Sequence, residues 1–325
     1  MPYKVFVTGG YGFVGRHLVN ELLEAGHEVT ILSRDRHNPK VPLECRKGTL
    51  HEVSWDLSNP ASLERILAEY GIDTVFHLAA QTQMSTAILD PYGTFEANIK
   101  GTWDLLEACR RQKTPRVVVA STDKVYGRSP APYKEDTPLL PDRPYETSKA
   151  CVDLLARTYA ATYSMSVAVV RCVNIFGPGH MNFSTLVPGT IRRIHQRTRP
   201  MVRNGGSMKR DWLYVKDAVQ GYMSLLGNAG REFIGPVNFG SGYPTSVMEI
   251  VQLISQLMGW DGGVTDELDV HGEIVDQWSD CSLARVLGWH QNYSLQHGLA
   301  ETIKWYMNLW GDESLQSMAR KGNQL

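Results

Sequence analysis

The chain has 325 residues, room for one large domain or two unequal ones, and an ordinary enzyme-like composition of 42% hydrophobic and 21% charged residues. A formal net charge of -1 without blocks of like charge argues against nucleic acid or an anionic membrane as the main partner. The five cysteines are dispersed, odd in number and free of C-x-x-C pairing, which excludes a disulfide framework and a zinc site as expectations. No signal peptide precedes the first strand and no apolar run is long enough to span a bilayer, so the expected location is the cytoplasm.

Tyr3-Lys4-Val5-Phe6-Val7 reads as a strand that runs into Thr8-Gly9-Gly10-Tyr11-Gly12-Phe13-Val14-Gly15. A helix follows through Leu18, Leu22 and Leu23 at helical spacing. A glycine-rich turn between strand and helix lets backbone N–H groups approach a diphosphate, with the helix N-terminus facing the anion. Gly9, Gly12, Phe13, Val14 and Gly15 are therefore expected to hold a dinucleotide cofactor. The second strand, Glu28–Leu32, ends in Ser33-Arg34-Asp35-Arg36, where an acid ordinarily holds the ribose of NAD. Ser33 followed by Arg34 suits a 2′-phosphate and tilts the reading slightly towards NADP. The alternative is that Asp35 holds the ribose of NAD and the arginines are solvated.

The third predicted strand, Val53–Leu57, brings Asp56 and Leu57 to the adenine; Asp56 is alternatively an N-cap for the helix near Pro60. The fourth, Asp73–Ala80, carries Leu78, Ala79 and Ala80, small or apolar residues where the cofactor passes close to the backbone, and His77, read as packed rather than catalytic. A helix over about 91–111 bears Asn98, a further cofactor contact.

The strand from Arg116 to Ala120 then delivers Ser121, Thr122, Asp123 and Lys124 to its carboxyl end, where open α/β sheets put their chemistry. Tyr145 and Lys149 follow, four apart on one helix face. An ammonium beside a phenol lowers the phenol's pKa, and the phenolate takes a proton from a sugar hydroxyl while hydride leaves the same carbon. Thr122 holds that hydroxyl. Asp123 suits protonation of a departing hydroxyl. Lys124 is either a base or a cation that stabilises an enolate, or else Asp123 and Lys124 are turn residues joined in a local ion pair. After a sixth strand, Val167–Arg171, the alternation of strands and helices loosens. Asn174 is expected at the diphosphate or sugar. Asn182, Phe183 and Val187 belong to a nucleotide-contacting helix start, and Arg192 and Arg210 are diphosphate candidates. Asp211 and Asp217 are expected to orient Arg210 and cap a helix. His180, His195 and His290 lack metal spacing, and no metal is expected.

This pattern predicts an α/β protein with a doubly wound parallel sheet of Rossmann type and a smaller α+β substrate-binding domain. The dinucleotide domain covers 1–175, with part of 212–245 as a possible addition, and the sugar-nucleotide domain mainly 176–325.

The motifs TGGYGFVG at 8–15, HLAA at 77–80, STDKVYG at 121–127, YETSK at 145–149, NIFGPG at 174–179 and RDWLYVKD at 210–217 together resemble the extended short-chain dehydrogenase/reductase family of nucleotide-sugar enzymes. Thr122-Asp123-Lys124 resembles its CDP-glucose 4,6-dehydratase branch. The resemblance implies oxidation of C4 by Tyr145 and the cofactor and removal of the acidified H5. Loss of the C6 hydroxyl with a proton from Asp123 and return of hydride to C6 complete the sequence. The alternative activity is a 4-epimerase using only Thr122, Tyr145 and Lys149, and the least expected is a non-catalytic dinucleotide-binding protein. The resemblance also puts Gln81 and Tyr214 among substrate contacts, although segment 81–85 departs from the branch's pattern. It further implies a homodimer formed through the helices near 91–111 and 145–163.

Overall fold

The computed structural model describes residues 2–33, 43, 47–54, 60–227, 235–267, 274 and 276–311. Arg34, Asp35, Arg36, Asp56 and Leu57 lie outside the described residues, as does the side chain of Ser33. The choice between NAD and NADP expected from Ser33 and Arg34 thus falls outside them too.

Short apolar runs rich in Val become inner strands buried on both faces, as a parallel sheet covered by helices requires, and a more polar run forms the partly exposed edge strand. They are β1 Lys4–Thr8, β2 Glu28–Ser33, β3 Thr49–Ser54, β4 Thr74–His77, β5 Arg116–Thr122 and β6 Val167–Cys172. The helices between them are α1 Phe13–Glu24, α2 Pro60–Glu69, α3 Met84–Leu89, α4 Pro91–Phe95, α5 Gly101–Gln112 and α6 Pro144–Tyr163. Alternation along each strand sorts the core into two layers. Val5 and Val7 pack with Leu18, Leu22 and Val219, while Phe6 packs with Leu63, Leu106 and Val152 on the other face.

Smaller elements follow: β7 Asn174–Phe176, α7 Leu186–His195, β8 Met201–Arg203, β9 Lys209–Arg210, β10 Trp212–Tyr214 and α8 Val215–Gly227. Then come β11 Gly235–Phe239, β12 Thr245–Ser246, α9 Val247–Leu257, β13 Thr265–Glu267, β14 Asp276–Gln277, α10 Ser282–Val286 and α11 Leu295–Gly311. The chain returns to the main sheet with β11, which pairs in parallel with β6. The sheet order is β11-β6-β5-β4-β1-β2-β3. Strand order reverses between β1 and β4, which opens a crevice at their carboxyl ends.

Two predicted elements differ. The strand expected over 73–80 stops at His77, because Leu78 and Ala79 leave the ladder to bond β1 through the Thr8 carbonyl and hydroxyl. The helix expected over 91–111 is interrupted by a π-helical turn, Glu96–Lys100, which contains Asn98.

Candidate active site

The glycine-rich turn is built by backbone contact. Gly9 has φ +73, and a Cβ there would stand 2.7 Å from the Ala79 nitrogen. A Cβ at Gly15 would collide with the Gly9 carbonyl, so only glycine lets α1 start this close to β1. Gly12 is the N-cap, without a side-chain cap and with no acid in the first turn, so no side chain among the described residues caps this helix N-terminus. A cradle that side chains would fill, ending on an uncapped helix N-terminus, fits a dinucleotide's diphosphate. Thr8 Oγ1 and Thr102 Oγ1 bond the two nitrogens of His77 at 2.7 and 2.9 Å. Burial pushes this histidine down to about 3, so it is a neutral wedge between β4 and α5.

The reactive side chains meet across the crevice at the ends of β5 and α6. β5 runs through Thr122, and Asp123–Tyr126 forms a 3-10 turn. Asp123 is completely buried. Its Oδ1 accepts from the Thr122 hydroxyl at 3.1 Å and lies 3.5 Å from Lys124 Nζ, while Oδ2 has no partner among the described residues. Lys124 Nζ also donates to Asn174 Oδ1 at 3.1 Å. The local ion pair anticipated for Asp123 and Lys124 is present, yet it uses only one carboxylate oxygen.

Pro144 opens α6, where its missing N–H costs nothing. The Tyr145 hydroxyl bonds that of Thr122, and Lys149 Nζ donates to the Ala120 carbonyl at 2.6 Å. The expected depression of the phenol by Lys149 is not found. Burial first, and then the Asp123 carboxylate, push the Tyr145 phenol above its ordinary value. Burial brings Lys149 down to about 8.

Asn98 also departs from expectation. Its amide brackets Gln81, accepting from the backbone N at 2.7 Å and donating to the carbonyl at 2.9 Å, and it donates to Ser148 Oγ at 2.9 Å. Ser148 in turn donates to the Tyr145 carbonyl at 2.7 Å. Asn98 is thus a brace between the 78–83 segment and the Tyr-Lys helix. Ser148, which sequence reasoning passed over, completes it; its only signal was a hydroxyl one residue before Lys149.

Of the predicted substrate residues, Asn174 joins the cluster through Lys124, and its Nδ2 donates to the Asp211 carbonyl at 3.1 Å. Gln81 turns its side chain to Thr94 and the Gln83 carbonyl. Asn182 lies in a turn ahead of α7 and caps Ser184. Phe183 lies under the Arg192 guanidinium at 4.6 Å. Val187 is buried in the core. Arg210 reaches the Lys209 and Ile274 carbonyls. Tyr214 is in the core, between Phe176, Tyr293 and Gly298, rather than beside Asn174. Asp211 does not orient Arg210; it takes the Ser241 and Gly242 N–H groups and the Ser241 hydroxyl. Asp217 stands in the first turn of α8 and accepts from the Asn292 and Tyr293 backbone. Both aspartates serve distant chain segments, which no local pattern signals. His180 stacks on Phe13 at 4.4 Å and His195 on Trp310 at 4.4 Å.

The sequence matches the NAD dependent epimerase/dehydratase family over residues 5–235. It is 30% identical over 315 residues to a dTDP-glucose 4,6-dehydratase of Mycolicibacterium smegmatis, covering 93% of each chain. It is 29% identical over 313 residues to a UDP-glucuronate 4-epimerase of Thermodesulfobacterium geofontis, covering 92% of this chain and 94% of that one. Among solved structures it resembles the dTDP-glucose 4,6-dehydratase DesIV of Streptomyces venezuelae, solved with NAD bound, at TM-score 0.85 and 30% identity. That match covers 96% of this chain and 99% of the other.

Proposed function

The chain belongs to the NAD dependent epimerase/dehydratase family, and on that premise we propose that it is a 4,6-dehydratase of a nucleoside-diphosphate hexose. The observation that carries this reading is the Asp123 carboxylate, fully buried beside Thr122 and Tyr145 with one oxygen unpartnered. Oxidation at C4, which is all an epimerase needs, uses a hydroxyl, a phenol and a lysine. A buried acid with an open valence serves a further proton transfer.

Thr122 and Tyr145 receive the C4 hydroxyl, and Tyr145 would take its proton as a phenolate, which the Lys149 cation and the positive ring of a bound oxidised nicotinamide would favour against the effect of burial. When bound, NAD or NADP accepts a hydride from the sugar and returns it. Lys124, after passing its proton to the paired Asp123, takes H5 next to the C4 ketone, and the ammonium so re-formed supplies positive charge to the enolate. Asp123 protonates the C6 hydroxyl as water leaves. Lys149, held on the Ala120 carbonyl, keeps a cation near the phenol. Gly9, Gly12 and the Phe13–Gly15 backbone would hold the cofactor's diphosphate, and Leu78, Ala79 and Ala80 would line its path. The region 176–325 would bind the sugar nucleotide through Asn174 at its edge, Phe183, Arg192 and Arg210. CDP-glucose is the first substrate to try, from the Thr122-Asp123-Lys124 triplet.

The test is incubation with CDP-, UDP- and dTDP-glucose without added reductant, followed by mass spectrometry. A 4-keto-6-deoxy product, lighter by one water, is expected. A C4 epimer of unchanged mass would make the protein an epimerase instead. A homodimer is proposed too, because Tyr92, Trp103 and Leu154 stand 77%, 54% and 52% exposed on α4, α5 and α6. Light scattering should give twice the chain mass, and Leu154→Asp should return it to one.

A further inference from the structure

One charged side chain at the glycine-rich turn has no counter-charge among the described residues. Arg16, directly after Gly15, is only 5% exposed. Its Nη2 donates to the Tyr11 carbonyl at 3.0 Å, while Nε and Nη1 have no partner. Burial lowers the guanidinium to about 10, with no acid to offset it, so it remains charged at neutral pH. A buried, unpaired charge is expensive. Such an arrangement points to a charge that arrives with a ligand.

The surroundings narrow that ligand. On one side lies the uncapped first turn of α1. On the other lies the loop after β7, in which a Cβ at Gly179 would stand 3.3 Å from Arg16 Nη1. The loop is fastened to α1 by the His17 ring on the Pro178 carbonyl at 2.8 Å and by Phe13 stacked on His180. These contacts hold the loop against the first turn of α1, where the helix N–H groups point, whereas a ribose 2′-phosphate would bind at the end of β2. An anion that meets both the α1 N-terminus and Arg16 is therefore a diphosphate between two nucleosides.

We infer that Arg16 is a binding residue for the dinucleotide's diphosphate, its fork of N–H donors adding to the backbone donors at the start of α1. This rests on the dinucleotide-binding reading of the glycine-rich turn. It predicts equal importance for NAD and NADP, because the 2′ position is not involved.

The test compares wild type with Arg16→Met and Arg16→Lys by calorimetric titration of ADP-ribose and of UDP, together with melting of the unliganded protein. Arg16→Met should weaken ADP-ribose at least tenfold and Arg16→Lys by less, with UDP binding unchanged. The melting midpoint should not fall in Arg16→Met, since a charge without a partner has been removed; a structural arginine would lower it. Unchanged ADP-ribose affinity in the variants overturns the assignment, and so does a loss confined to UDP. Wild-type protein that binds no ADP-ribose would take the dinucleotide reading with it, whereas normal wild-type binding with unaffected variants removes Arg16 alone. If Arg16→Met fails to fold, Arg16→Lys carries the same comparison.

Discussion

Two buried charge clusters sit on the neighbouring strands β5 and β6, and they are finished differently. At Arg171, completely buried on β6, every donor nitrogen is used. Nε and Nη2 bond the two Asp153 oxygens at 2.7 and 2.9 Å, and Nη1 bonds the Tyr126 hydroxyl and the Glu135 carbonyl at 2.8 and 2.9 Å. At the carboxyl end of β5, Asp123 is equally buried but keeps one oxygen open. The first cluster is closed by the protein itself and ties the loop after β5 to α6. The second leaves one oxygen without a partner among the described residues. Burial does not tell the two clusters apart; the unfilled valence of Asp123 does.

Substitutions should widen this contrast. Asp123→Asn should lower kcat for dehydration by about two to four decades, the span of a lost general acid, with the melting midpoint nearly unchanged. A large loss of stability at this site would erase the distinction. Arg171→Met should do the reverse, costing about 3–5 kcal/mol in urea unfolding because Asp153 is left charged and buried.

Lys149 lies between these extremes. Its folded-state pKa, about 8, is below the ordinary 10.5. Between those values the unfolded chain binds the proton that the folded chain has released, so this residue's contribution to stability rises with pH across that window. It penalises the fold by up to about 3 kcal/mol below pH 8. Urea midpoints of wild type should therefore gain on those of Lys149→Met between pH 8 and 10.5. Smallest of all is the partly exposed i,i+4 pair Lys100–Asp104 at 2.7 Å, where Asp104→Asn should cost about 0.5 kcal/mol or less.

The turn at Gly9–Gly15 and the pair Tyr145/Lys149 were legible in the sequence because their geometry is local: glycine spacing and one helical turn decide it. Asn98 was legible as a polar residue near the site but not as a brace, since its partners Gln81 and Ser148 are 17 and 50 residues away and a π turn aims it. Tyr214 was expected at the substrate through the resemblance, and Asp211 and Asp217 were expected to serve near neighbours; their actual neighbours, from Ser241 to Tyr293, come from folding of the later chain. Arg16 escaped notice because an arginine on an amphipathic helix reads as solvated. The phenol shift was misjudged for a related reason: desolvation depends on the whole crevice, whereas Y-x-x-x-K spacing reveals only the neighbouring ammonium.

The return of β11 to the sheet has a consequence for how the polypeptide can be made or cut. β6, with all six residues buried, has one edge on β5 and the other on β11. A fragment ending near Phe176 would leave Val167–Val170 as an open, apolar edge able to pair with another chain. The nascent protein faces the same hazard until Phe239 has left the ribosome. In the finished sheet the outermost position on that side belongs to β11, whose Pro236 has no N–H to offer a stray strand. The stretch that carries the first six strands is therefore not a severable cassette: truncation after β7 should yield inclusion bodies, and grafts between relatives should carry β11 along with the first six strands.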